Sequence, residues 1–238
     1  MITSKLKFFG IRFFNPVIRI ANRITWRFGR PYRCSGDIAA SLINVLRPGM
    51  LVVTRTEYLF GNLWIHGYWT HVAMVMPGND LIEAVGSGVR SVSPNDLLKH
   101  IDDWAVFCPS LAGNDLVHAA CTFARQATGL KYNFSFRRKF RKYYCSELIY
   151  QAFESGSRTC GGTEELTSYG RPYWDKKFII TPDWLVTMPL GWIQVAGALM
   201  PAHSLFPAPE HVPFAGRTGE FPDLEPATFH RPAYIPLG

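Results

Sequence analysis

"KYYCSELIYQAFE", residues 142–154, decides how the rest of the chain is read. Cys145, Leu148, Ile149, Ala152 and Phe153 recur at the spacing of one helical face, so the stretch predicts a helix from about 144 to 154 with Cys145 opening its buried side. At a helix N-terminus, unpaired N–H groups and aligned peptide dipoles favour an anion, which lowers a thiol pKa and makes the sulfur a nucleophile. The same N–H groups suit an oxyanion hole. Cysteine is also a small hydrophobe and among the most buried residue types, and taken alone Cys145 reads as core filler before it reads as a nucleophile.

Upstream, "MLVVTRTE" (50–57), "THVAMVMP" (70–77), "DLIEAV" (80–85), "GVRSVS" (88–93) and "DWAVFCP" (103–109) are short apolar or β-branched runs bounded by turn formers. They predict an antiparallel sheet with tight turns at Gly78-Asn79-Asp80 and Gly86-Ser87-Gly88. "NDLVHAACTFARQAT" (114–128) predicts a second helix, and Ser35 or Asp37 caps a third through "IAASLINVL", ended by Pro48-Gly49. Helices before, between and after one block of strands give an α+β class.

Two polar residues sit where burial costs free energy. His71 shares a strand face with Ala73 and Val75 while Val72, Met74 and Met76 line the other, so the strand is central and the histidine is either a satisfied core residue or a base. Glu83 lies between Leu81 and Val85 on its own face and needs a cation or a donor. The hairpin through Gly78 brings these two strands together, and a helix packed on the sheet can bring Cys145 to the histidine. A thiol, a base within hydrogen-bond reach and a group orienting the base make a nucleophilic triad, here Cys145, His71 and Glu83.

"RPGMLVV", "THVAMV", "LIEAVGSGV", "DWAVFCP", "YYCSELIYQAF" and "ITPDWL" occur in the order seen in the YiiX-like branch of permuted papain-fold cysteine hydrolases of NlpC type, which the chain resembles over about 47–190. The resemblance implies a permuted papain-like α+β core, with the antiparallel sheet packed against the helix that begins at Cys145. It also implies Cys145 as nucleophile, His71 as base and Glu83 as the residue orienting His71. Such relatives hydrolyse amides in cell-wall peptides, and the similar lecithin retinol acyltransferase group moves acyl chains between lipids and amines. Two departures stand out: Met50 replaces the aspartate of a "PGD" turn, and Asn133 replaces the aspartate of a "YD" element.

The flanking loops "EYLFGNLWIHGYW" (57–69) and "NFSFRRKFRK" (133–142) alternate aromatic and cationic residues and suit an amphipathic or anionic ligand. They and the segments beside them nominate Trp69, Tyr132, Arg138, Arg141 and Tyr144 as substrate contacts, with Tyr144 read either as an oxyanion donor or as packing. His118 and Cys121 are two metal-type side chains with no recognisable third, so no metal is expected, and nothing requires a cofactor.

The chain has 238 residues and a net charge of +7, enough for one core and favouring anionic neighbours. Residues 5–30 place Arg12, Arg19, Arg23, Arg27 and Arg30 on one helical face, divided by Pro16, and fit either an anionic membrane surface or the domain itself. Residues 201–238 form a proline-rich extended tail, so the expected organisation is an N-terminal segment 1–34, a hydrolase domain 35–200 and the tail. Five cysteines without CxxC spacing read as mostly reduced, and basic residues interrupt any signal-peptide core. The uncharged stretch 184–200 contains Pro189 and falls short of the roughly 20 residues of a membrane span. A cytoplasmic, peripheral-membrane or particle-borne protein follows as the expectation, with a peptide or lipid-like acyl substrate and no nucleic-acid motif. A structural component of a membrane or virion assembly is the reading from a different class, with the two arms as docking segments.

Overall fold

The computed structural model describes residues 31–34, 42–57, 67–136, 141–161 and 180–197. The strand-like runs become β1 (Leu51–Arg55), β2 (His71–Val75), β3 (Leu81–Val85), β4 (Gly88–Val92) and β5 (Asp103–Pro109). Gly78 and Asn79 take positive φ, 97° and 65°, in the turn between β2 and β3, a conformation that glycine and asparagine tolerate. The hairpin that follows sets Val85 opposite Gly88 and therefore Glu83 opposite Arg90, while Glu83 faces Ala73 on its other side. β8 (Trp192–Gly197) completes a six-stranded antiparallel sheet in the order β4-β3-β2-β1-β5-β8, with β2 inside it. β6 (Lys131–Tyr132) and β7 (Lys142–Tyr143) pair separately in parallel just before the cysteine.

Four helices are described: α1 (Pro94–Leu98), α2 (Asn114–Gln126), α3 (Cys145–Thr159) and α4 (Pro182–Leu185). Ser93 caps α1 by accepting from the Asp96 N–H at 3.1 Å, and Thr181 caps α4 by accepting from the Trp184 N–H at 3.2 Å. Strand alternation divides the core in two. Val53, Val72, Met74, Ile82 and Ala84 join Leu148, Ile149, Ala152 and Phe153 of α3 and Ala120 and Ala124 of α2. Val52, Ala73, Val75, Leu81 and Val106 instead join Leu42, Leu46, Leu97 and Leu98. Each fully buried Val, Leu, Ile, Met or Phe among them contributes about 1.5–3 kcal/mol. α2 and α3 approach closely at Gly156, where a Cβ would stand 2.9 Å from the Leu116 carbonyl oxygen.

The sheet and helices form the α+β arrangement expected. The predicted helix end at 154 is corrected to Thr159, because the buried residues Gly156 and Ser157 pack despite the weak helix propensity of "SGSRT". Residues 184–197 hold the end of α4, a turn and β8, and among the described residues no helix is long and apolar enough to cross a membrane. The basic segment 5–30, the helix start at Ser35 or Asp37 and the tail 201–238 lie outside the described residues.

Candidate active site

Cys145 is the first residue of α3, preceded by Tyr144 in extended conformation, so its N–H is among those the helix leaves without an i−4 acceptor. Glu147, one turn in, accepts from the Tyr144 N–H at 3.4 Å and closes the helix start. The thiol is 7% exposed. Its ionisable partner is the His71 ring. Burial works to raise the Cys145 pKa, but the hydrogen bond and charge of His71 and the Ser146 N–H outweigh it and bring it below the ordinary value. Three other thiols behave in the opposite sense: desolvation and the charges of Asp103 and Asp102 push Cys34 up to about 12, and desolvation raises Cys108 and Cys121.

His71 opens β2 and its Nε2 lies 2.7 Å from Glu83 Oε2, which leaves Nδ1 for the sulfur. Burial disfavours the imidazolium, yet the bonds to Cys145 and Glu83 and the Glu83 charge prevail, and its pKa is pushed up to about 10. Glu83 has its other oxygen gripped by Arg90, at 2.8 Å from Nε and 2.7 Å from Nη2. This is the cation the buried carboxylate required. Although burial pulls the other way, His71 and then Arg90 hold the Glu83 carboxyl below its ordinary range. Arg90 went unnamed in the sequence reading, but counting back across the Gly86-Ser87 turn places it opposite Glu83.

The remaining nominated residues divide. Tyr132 is half-buried and stacks on Phe134 (centroids 4.7 Å apart) and Phe136 (6.5 Å). Burial, followed by the nearby Cys145, raises its phenol pKa well above normal. Tyr144 is 1% exposed, packs on Phe136 at 5.4 Å and accepts the Ile180 N–H at 3.1 Å, so it braces the helix start. Trp69 corrects the expectation of a substrate rim residue: it is fully buried in the core, edge-on to Tyr68. Its place between two half-polar neighbours hid this, since loop position alone does not reveal burial. Arg141 is exposed, and Arg138 lies outside the described residues.

The two departures have plain local outcomes. Met50 is buried in the second cluster. Asn133 is also buried and donates Nδ2 to Glu147 at 2.8 Å, while its Oδ1 accepts from the Ser135 N–H and hydroxyl at 3.2 and 2.7 Å. An aspartate there would face Glu147 carboxylate to carboxylate. Among the described residues, no three His, Cys, Asp or Glu side chains are gathered as a metal would require.

A search among curated proteins gives no match. A crystal structure titled "metalloprotein yiiX from Escherichia coli O157:H7, DUF1105" is similar at 17% sequence identity, with 64% of this chain and 97% of that one covered and a TM-score of 0.49. The family model described as "Permuted papain-like amidase enzyme, YaeF/YiiX, C92 family" matches residues 45–170, from the lead into β1 through the whole of α3. With more than half its length matched, and a cysteine-led helix behind an antiparallel sheet, the chain belongs to this C92 family of permuted papain-like cysteine amidases.

Proposed function

We propose that Cys145, His71 and Glu83 cleave an amide bond in a cell-wall peptide or related peptide through an acyl-enzyme. The observation that carries this reading is a buried thiol lowered by the His71 ring, with that imidazole 2.7 Å from a buried carboxylate that His71 and Arg90 hold ionised. The thiolate attacks the carbonyl carbon, the C–N bond breaks, and imidazolium His71 gives its proton to the leaving amine. His71 then takes a proton from water, the hydroxide attacks the thioester, and the released carboxylic acid leaves Cys145 free. The Cys145 N–H meets the oxyanion.

The test is acylation by a thiol-directed peptide probe with the site read by mass spectrometry. Wild type is expected to label at Cys145 and Cys145→Ala to lose that label while keeping its circular dichroism. Label carried instead by Cys108 or Cys160 would defeat the proposal.

One observation favours a second, lipid-directed acyltransfer reading. Lys131, Arg141 and Lys142 are exposed beside the half-buried aromatics Tyr132, Phe134 and Phe136. An anionic, amphipathic acyl donor fits such a rim. Competition between peptide amides and anionic phospholipid for Cys145 acylation decides between the two donors. Membrane or particle attachment through residues 5–30 and 201–238 belongs to a separate reading, a structural component of a membrane or virion assembly.

A further inference from the structure

The "ITPDWL" segment touches both halves of the site without supplying a reacting atom. At its start, the Ile180 carbonyl accepts the Ser146 hydroxyl at 2.6 Å and the Ile180 N–H donates to the Tyr144 hydroxyl at 3.1 Å, so it grips the residues on either side of Cys145. Three residues on, Asp183 is 1% exposed and accepts the Tyr68 N–H on Oδ1 at 2.9 Å and the Trp69 N–H on Oδ2 at 3.0 Å. Those amides belong to the chain that runs straight into His71 at the head of β2.

The approach is deliberately close. Gly67 has φ +127°, and a Cβ there would fall 2.3 Å from Asp183 Oδ2. The outer side of the same stretch is fixed as well: the Tyr68 carbonyl accepts from Arg55 and its hydroxyl donates to Asp103, both at 2.5 Å. Tyr150 and Trp184 pack at 5.7 Å, tying α4 to α3. Burying a carboxylate is costly, and a brace this expensive at this location is explained by what it connects.

We propose that Asp183 is a positioning residue that sets the thiol-to-imidazole geometry: it fixes the lead into His71 relative to a segment already bonded on both sides of Cys145. This rests on the reading of Cys145 and His71 as the reacting pair. Loss of the brace lets the imidazole drift from the sulfur, so the thiolate loses its stabilising cation. A misplacement of about 1 Å costs reactivity on the order of 100-fold.

The experiment is the rate of iodoacetamide alkylation at Cys145 against pH, resolved by peptide mass spectrometry in the full chain, for wild type, Asp183→Asn and Gly67→Ala. Both variants attack the same contact from opposite sides. The expected result is an apparent Cys145 pKa moved up by about one unit or more, with about a tenfold slower reaction at neutral pH. Folded variants whose profiles superimpose on wild type, even with a lower melting temperature, would reduce Asp183 to a stabilising contact and overturn the proposal. An ordinary thiol profile in wild type itself instead sinks the reacting-pair reading. Should both variants fail to fold, amide hydrogen exchange in wild type decides: slow exchange at Tyr68 and Trp69 is expected, and exchange at free-peptide rates refutes the brace.

Discussion

Two buried glutamates flank the site and are held in opposite ways. Glu83, on the strand side, touches an imidazole and an arginine. Glu147, on the helix side, receives amide N–H groups from Asn133, Gln151 at 3.3 Å and the Tyr144 backbone. A carboxylate between ionisable partners is coupled to a proton that moves; one among amides is a fixed hub that shapes the chain around it. In the proposed mechanism the first belongs to chemistry and the second to architecture, though both are almost completely hidden from solvent.

Glu83→Gln is the most severe break of that contrast. It removes the charge opposing imidazolium, and the rate of peptide-amide cleavage is expected to fall roughly 10²- to 10⁴-fold in steady-state assays. Its pH signature has a definite sign. In wild type Cys145 is lowered and His71 raised to about 10, so the ion pair, and with it fast alkylation, occupies the range between the lowered thiol value and about 10 and is lost as pH falls through the former. With Glu83→Gln the thiol value rises and the acid limb moves to higher pH. A rate profile unchanged by this substitution would erase the distinction between the two glutamates.

Glu147→Ala should show the reverse balance. Leaving the buried Asn133 amide without this acceptor costs about 1–3 kcal/mol, measurable as a lower urea midpoint, while the alkylation limb of the folded protein stays where it was.

Arg90→Gln sharpens the comparison with the smallest effect, because Arg90 is 55% exposed and solvent screens its charge. Activity is expected to fall no more than about fivefold. The Glu83 carboxyl is lowered in the native state, so its contribution to stability is present above the ordinary carboxylate range and is lost as pH falls through the native value. Without Arg90 that native value rises, and acid unfolding should begin at higher pH.

The sheet was legible because its signals are local: alternation and turn residues fix β1 to β5, and the register of the β3–β4 hairpin follows from its two-residue turn. His71 and Glu83 stood out for the same reason, as polar side chains in apolar strands. What stayed hidden was contact at long range. Asp183 meets Tyr68 across 115 residues, and no periodicity records such a pairing. β8 was concealed inside a stretch read only for its hydropathy, and Trp69 shows that an aromatic in a loop can be core. Asn133 looked like a lost aspartate until its amide was seen to be what a neighbouring carboxylate needs.

Gly156 gives the helix that begins at Cys145 a lever arm. From Cys145 it lies eleven residues along α3, about 16 Å of nearly rigid rod. A methyl group added there has to part α3 from Leu116 or tilt it, and a tilt of only a few degrees about the middle of the rod displaces the sulfur at its tip by several tenths of an ångström. The spacing of two helices at Gly156 is therefore also an alignment setting for the proposed nucleophile.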